Sequence, residues 1–230
     1  MLRSSLALLI VLSLGLPASS LTFREQTFTC PVDGKTFRAN LPASGTSFGI
    51  MLDFKKIGPI ASPWQMPVCP GNGFVLHKQD YSATEIETIK AMVDSPEFAA
   101  LRARGNQWLT AAFEMRRLGA KPDAIAGMYL SATWAAGADY TRVAEEAYAY
   151  MSAMPDVDKG VFYLALGELE RRLGRFEAAR ERFTKLPPGY AEAMAARNWK
   201  PADLDRYIKR QLHFIAARDA FPQSLNADGQ

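Results

Sequence analysis

The chain contains little histidine or cysteine, two residues that enzymes often use for catalysis. Its 230 residues include only two histidines, His77 and His213, and two cysteines, Cys30 and Cys69. Neither histidine has an Asp, Cys or Ser at a recognisable catalytic spacing. The chain also lacks a Walker-type phosphate loop, an HExxH helix and a dinucleotide-binding glycine fingerprint. We therefore predict that it is not an enzyme and has neither catalytic residues nor a cofactor.

The chain also lacks a strong charge of either sign. Its 27 Lys and Arg residues against 24 Asp and Glu residues give a net charge of +3. This weak bias predicts no nucleic-acid partner. The densest basic cluster is interleaved with glutamates, which predicts a solvated helix face with i,i+4 ion pairs. It consists of Arg171, Arg172, Arg175, Arg180 and Arg182, with Glu168, Glu170, Glu177 and Glu181 between them.

A long hydrophobic run occurs at the N-terminus. Arg3 precedes apolar residues 6–16, which are followed by Pro17-Ala18-Ser19-Ser20. A basic start, a short apolar stretch and a small-residue site predict a signal peptide over 1–20, cleaved after Ser20. The alternative is an uncleaved anchor, but the run is too short to span a bilayer comfortably. We predict a periplasmic or secreted protein with no integral membrane span after cleavage.

Residues 21–78 differ in composition from the rest of the chain. Phenylalanines are scattered among Thr, Gly and Pro, and four segments have the character of short strands. We therefore predict a small β-rich module over 21–78. The strand segments are TFREQTFTC, KTFRAN, GIMLDF and GFVLHK.

Two similar elements frame this module, Cys30-Pro31-Val32-Asp33-Gly34 and Cys69-Pro70-Gly71-Asn72-Gly73. Each resembles the knuckle of a zinc ribbon, in which paired cysteines in two tight turns supply four thiolates. Here Asp33 and Asn72 stand where the second thiol of each knuckle would be. The module therefore resembles a degenerate zinc ribbon. The chain is similar to an uncharacterised bacterial family in which such knuckles precede tetratricopeptide-like helices.

An oxidising compartment and two cysteines predict a disulfide between Cys30 and Cys69. It would join the same two turns that a metal ion joins in a zinc ribbon. Loop-closure entropy gives about 4 kcal/mol for a loop of this size, before strain is subtracted. The alternatives are a zinc or copper site made of Cys30, Cys69 and Asp33, and two free thiols. We favour the disulfide and predict no bound metal.

Residues 163–186 combine a helical period with small residues at fixed offsets. The order Tyr163-x2-Leu166-Gly167, then Leu173-Gly174-x-Phe176, Ala179 and Phe183, resembles one tetratricopeptide repeat. Gly174 is predicted to end the first helix, and Gly167 and Ala179 to let two helices approach closely. Glu170 stands where an aromatic residue is usual in this family.

Helices are predicted over 79–221. Ser82 to Glu85 form a capping box, and Ser95 and Pro96 begin a second helix. Trp108 and Tyr163 occupy equivalent positions 55 residues apart. Because this is not a multiple of the roughly 34-residue repeat, we predict an extra or irregular helix between them. The tail, 222–230, is predicted to be unstructured.

The predicted fold class is α+β, mainly α, with a β-rich N-terminal module and an irregular helical-repeat domain. The repeat resemblance implies a scaffold that binds a protein or peptide partner in a groove. Trp134 and Tyr150 fall off the inward faces of their helices, so we predict that they contact the partner. The alternatives are a metal-binding protein using Cys30 and Cys69, and an exported enzyme with a site near His77 and Asp53.

Overall fold

The computed structural model describes residues 21–155 and 159–225. These residues are mainly helical, with small antiparallel sheets near the N-terminus, which confirms the predicted α+β class. The predicted signal peptide, 1–20, and residues 226–230 of the predicted tail lie outside the described residues. None of the helices in the described part is both long and apolar enough to cross a membrane.

Two paired strands, β1 (Thr22–Thr29) and β2 (Thr36–Ser44), form an antiparallel ribbon. A second, very short pair consists of β3 (Gly49–Ile50) and β4 (Lys56–Ile57). Of the predicted strand segments, GFVLHK forms only an isolated bridge, between Val75 and Val68. The backbone N–H of Val75 is bound by a helix side chain instead, so it cannot extend a ladder.

The predicted helix starts are confirmed where side chains cap them. The Ser82 hydroxyl accepts from the Glu85 N–H and the Glu85 carboxylate accepts from the Ser82 N–H. Ser95 caps the next helix, with Pro96 in its first turn. The helices are α1 Ala83–Val93, α2 Pro96–Ala103, α3 Gln107–Arg117, α4 Pro122–Trp134, α5 Tyr140–Ser152, α6 Phe162–Arg172, α7 Phe176–Thr184, α8 Tyr190–Ala195 and α9 Pro201–Ala216.

The helices pack as two hairpins with one helix between them. α3 packs against α4 and α6 against α7, while α5 packs against both α4 and α6. Helix α9 covers α7. The additional helix α5 confirms the prediction made from the 55-residue spacing, because it separates two otherwise similar hairpins.

The α6–α7 hairpin depends on the small residues that the sequence indicates. A Cβ added at Gly167 would lie 2.3 Å from Cζ of Phe183, so α7 can approach α6 only where this side chain is absent. Gly174 has φ +76° at the turn after α6, a conformation that glycine adopts without strain. Ala179 is fully buried in the same interface.

The predicted solvated face is wrong for α6. Glu168, Glu170 and Arg171 are all at most 1% exposed, because α6 is enclosed by its neighbouring helices and by the C-terminal segment. Glu170 takes the place of the usual aromatic residue by accepting from Arg182 and from the Tyr148 hydroxyl. The exposed face exists only on α7, where Glu177, Arg180 and Glu181 are exposed.

The segment 222–225 is ordered, in contrast to the unstructured tail predicted from Pro222. The Leu52 N–H donates to the carbonyl of Gln223 at 2.8 Å, and the Leu225 N–H donates to the carbonyl of Ile50 at 2.9 Å. Leu52 and Leu225 belong to the hydrophobic cluster around α7 and α9. Residues 222–225 therefore join the β-rich region to the last helices.

Candidate functional site

A concave groove of about 860 Å³ lies between α2, α3 and α5. This volume falls in the range of roughly 300–1,000 Å³ that is usual for ligand pockets. Much of the groove is apolar, so it can bury apolar side chains of a ligand. The apolar lining includes Leu101, Leu109, Phe113, Ala149, Ala153 and Met154.

One wall of the groove is a patch of two tyrosines and an arginine, each from a different helix. The ring of Tyr150, on α5, stacks on that of Tyr129, on α4, with centroids 5.0 Å apart. The guanidinium carbon of Arg116, on α3, lies 5.6 Å from the Tyr150 centroid, and its Nη1 donates to the Tyr129 hydroxyl at 3.3 Å. The predicted contact residue Tyr150 therefore lies in the groove, within an arginine–aromatic patch.

The other arginines of the groove are already paired with carboxylates. Arg104 donates to Glu146 at 2.8 Å and to Asp139 at 3.2 Å. Arg142 donates to Asp139 at 2.7 Å. Within 21–155 and 159–225, no carboxylate lies within ion-pair distance of Arg116. Among these residues, Arg116 contacts the two tyrosines of the patch, through the Tyr129 hydroxyl and the Tyr150 ring.

Trp134, the second predicted contact residue, lies on a different surface and is half-buried. Its Nε1 donates to the backbone carbonyl of Asp53 at 3.0 Å, and its own carbonyl accepts from Lys55 Nζ at 3.2 Å. It lines a smaller cleft of about 320 Å³, together with Trp64 and Trp108. The structure therefore does not bring Trp134 and Tyr150 together.

Cys30 and Cys69 form the predicted disulfide, with their Cα atoms 5.6 Å apart. Both sulfurs are buried in a hydrophobic cluster with residues of α1 and α2. Because the sulfurs are bonded to each other, they cannot both serve as thiolate ligands for a metal. No group of three or more His, Cys, Asp or Glu residues in the described ranges is placed to hold a metal ion.

The two knuckles have the same backbone geometry. The Gly34 N–H donates to the Cys30 carbonyl, and the Gly73 N–H donates to the Cys69 carbonyl, each at 2.9 Å. The residues in place of the missing thiols stabilise these turns. Asp33 accepts from the Lys35 N–H and Asn72 from the Phe74 N–H, while Asn72 Nδ2 donates to the Cys30 sulfur at 3.3 Å.

His77 and Glu114 form a buried contact between the segment that follows the second knuckle and α3. Nδ1 of His77 lies 3.6 Å from Oε2 of Glu114, and Oε1 of Glu114 accepts from the Val75 N–H at 2.9 Å. Burial raises the pKa of Glu114 to about 9 and lowers the pKa of His77. Burial therefore favours the neutral form of both side chains and leaves them out of reach of a substrate.

The residues of the enzyme alternative have separate partners. Asp53 is buried and pairs with Arg172 at 3.2 Å, whereas His77 contacts Glu114 and Val75. Burial raises the pKa of the Asp53 carboxyl, while Arg172 and a backbone N–H oppose this rise. Both side chains therefore link structural elements. They have different partners and do not form a catalytic pair.

One Gly-x-Ser-x-Gly pattern, the motif that carries the nucleophile of many serine hydrolases, occurs at 45–49. The Ser47 hydroxyl is 3.0 Å from the carbonyl of Gly49 and 3.2 Å from that of Ile57. The segment is a loop that leads into β3, whereas a nucleophile elbow connects a strand to a helix. The pattern therefore does not form an elbow here.

No protein-family model matches this chain, and no curated protein and no solved structure matches it either. The resemblances to zinc-ribbon and tetratricopeptide proteins therefore stay predictions from the residues themselves. The functional argument depends on the groove between α2, α3 and α5 and on the side chains that line it.

Proposed function

We propose that the protein is an exported interaction scaffold that binds a peptide segment of a partner protein in the groove between α2, α3 and α5. The observation that supports this most directly is the patch of Arg116, Tyr129 and Tyr150 beside the apolar lining of the groove. Three helices contribute to it, so the site exists because of how the helices pack.

The chemistry of the groove selects the kind of peptide. The apolar lining of the groove can bury one or two apolar side chains of the peptide. Each contributes about 1.5–3 kcal/mol to the binding free energy when it is fully buried. Arg116 adds a charge-assisted hydrogen bond to a carboxylate, for which a guanidinium is well shaped. The preferred segment therefore contains an apolar residue next to an Asp or Glu residue, or next to the C-terminal carboxylate of the partner protein.

The scaffold is suited to binding without large rearrangement. Helices α3 and α4 pack closely, and the Tyr129–Tyr150 stack links α4 to α5, so the groove wall is formed before the ligand arrives. Such preorganisation lowers the entropic cost of association. The predicted signal peptide and the Cys30–Cys69 disulfide support a role outside the cytoplasm.

The test is to select peptides from a random display library on the purified protein and to measure their affinity by fluorescence anisotropy. Arg116→Glu should weaken binding by about 10–100-fold, because it replaces an attraction with a like-charge repulsion. Arg180→Glu is the matched control, since Arg180 is exposed on α7 and does not line the groove. It should leave the affinity unchanged.

Substitutions at the two predicted contact residues distinguish between the two possible binding surfaces. Tyr150→Ala should weaken binding of the same peptides, and Trp134→Ala should not, because they line different clefts. Binding that is lost with Trp134→Ala and retained with Tyr150→Ala would place the peptide in the smaller cleft. That outcome, or affinities indifferent to Arg116→Glu, would refute the groove proposal.

A further inference from the structure

The β1–β2 ribbon leaves most of its surface uncovered. Every residue of β1 except Phe28 is exposed, and Phe23 is 50% exposed. Two-stranded ribbons are marginally stable in water, and an unpaired strand edge is a template for another strand. The edge of β1 is therefore a candidate interaction surface, separate from the groove.

The register of the ribbon shows which backbone groups of β1 point to solvent. The Cys30 N–H donates to the Lys35 carbonyl, so these two residues form a hydrogen-bonded pair. Antiparallel pairs alternate, so Arg24, Gln26 and Phe28 direct their backbone groups towards β2. The residues whose N–H and C=O groups point away from β2 are Phe23, Glu25, Thr27 and Thr29.

The two outer edges of the ribbon differ. On β2 the outward positions include Pro42, which pairs with Phe23 and has no N–H to donate. That proline interrupts the β2 edge and blocks a continuous added strand. The β1 edge contains no proline, so each of its outward residues has a backbone N–H to donate. An added strand therefore pairs with β1.

We infer that the strand that adds to β1 is β1 of a second copy of this chain. With a twofold axis at Gln26, Phe23 lies opposite Thr29 of the second copy, and Glu25 lies opposite Thr27 of the second copy. This register pairs every outward backbone group of β1 on both copies. Any other twofold register leaves some of these groups unpaired.

The side chains are compatible with the same register. Arg24 lies opposite Phe28 of the second copy, where a cation–π contact is favourable. Glu25 faces a threonine, so no like charges lie opposite each other. A shift by two residues towards the N-terminus would place the two Glu25 side chains opposite each other, which is unfavourable. The chain is therefore self-complementary along this edge, as a twofold interface requires.

The experiment is sedimentation velocity over a range of concentrations, with proline substitutions on the two edges. We expect a concentration-dependent dimer for the parent. Thr27→Pro should weaken it at least tenfold, because it removes an outward N–H but none that bonds β2. Asn40→Pro is the matched control, because it makes the same change at an outward position of β2, and it should leave the dimer intact.

A second variant reports on the register even if a proline disrupts the ribbon. Gln26→Cys places a thiol on the twofold axis, so it should form an intermolecular disulfide under oxidising conditions, whereas Asn40→Cys should not. A monomeric parent, together with a Gln26→Cys variant that forms no cross-link, overturns the proposal and leaves the edge to a strand of another protein. A dimer that is unaffected by Thr27→Pro overturns it as well. Neither result bears on the groove, because Arg116 and Tyr150 do not lie on the ribbon.

Discussion

Glu114 shows how burial can oppose the charge that a glutamate side chain carries in water. It is fully buried on α3, its Oε1 accepts from the Val75 N–H, and its Oε2 has no hydrogen-bond partner. Desolvation raises its pKa to about 9 because the charged form loses its hydration. Helical periodicity gives no sign of this, since an isolated glutamate in a helix is usually exposed.

Glu114→Gln should make the protein more stable at high pH. The pKa of Glu114 is raised on folding, from 4.5 to about 9, so the native state binds its proton more tightly. Its stabilising contribution is complete below pH 4.5 and is lost as the pH rises towards 9. Glutamine keeps an oxygen for the Val75 N–H and does not titrate. Relative to the variant, the parent should lose up to about 1.4 kcal/mol per pH unit within this window.

Urea unfolding of both proteins at several pH values between 5 and 8.5 measures this difference. The pKa of His77 is lowered by burial, so protonation of His77 destabilises the fold as the pH falls below 6.5. That effect is present in both proteins and largely cancels in the comparison. Glu87→Gln is the control, because it makes the same substitution at an exposed position of α1, away from Val75 and His77. A Glu114→Gln difference that stays constant with pH would contradict the argument.

At the scale of elements, the sequence predicted the helices better than their surroundings. Capping residues at Ser82 and Ser95 and the glycine at Gly174 act locally, so their effects can be predicted from neighbouring residues. The burial of α6 is set from a distance. Gln211 donates to Glu168, and Arg171 donates to the carbonyls of Asp219 and Phe221. A local charge pattern cannot show these contacts, so it predicted a solvated face.

The candidate groove can be predicted only in part from the sequence, for the same reason. Tyr150 falls off the inward face of α5, which predicts a contact residue, and it lines the groove. The residues that complete its wall, Arg116 and Tyr129, come from two other helices and carry no sequence motif. Trp134 satisfied the same sequence criterion, but a loop of the β-rich region covers its indole N–H. Tertiary packing, of helices and of this loop, decides which of these side chains meet.

Alanine substitutions at two helical glycines test the close packing of the α6–α7 hairpin. Gly167→Ala should destabilise the protein by about 1–3 kcal/mol, because the new Cβ would meet the buried ring of Phe183 at 2.3 Å. Gly127→Ala, on α4, meets nothing within 4 Å and should stabilise the protein by about 0.5–1 kcal/mol through helix propensity. Thermal unfolding should shift in opposite directions, and equal shifts would argue against close approach of α6 and α7.

At the scale of the whole molecule, the predicted boundary near residue 78 marks a change of secondary structure and not a break in the core. Leu52 and Phe54 pack among residues of α7 and α9, and the Tyr207 hydroxyl donates to the Leu52 carbonyl at 2.6 Å. Cys30 and Cys69 pack against α1 and α2. The β-rich region and the helices therefore form shared hydrophobic clusters.

The C-terminal segment should be essential to this arrangement. A chain that ends at Arg218 loses the carbonyls of Asp219 and Phe221, to which the buried guanidinium of Arg171 donates. It also loses the hydrogen bonds that residues 223 and 225 make with the segment 50–52. An incompletely paired buried arginine is strongly unfavourable, so we expect a loss of about 3 kcal/mol or more.

A chain that ends at Leu225 is the matched control for this truncation. It keeps both of these carbonyl acceptors and both backbone hydrogen bonds to 50–52, so it should unfold at a higher urea concentration than the chain that ends at Arg218. Chemical unfolding of the three proteins therefore separates the contribution of 219–225 from that of 226–230. Equal stability of the two truncated chains would show that Arg171 does not depend on the C-terminal carbonyls, and that the β-rich region is held to the helices by other contacts.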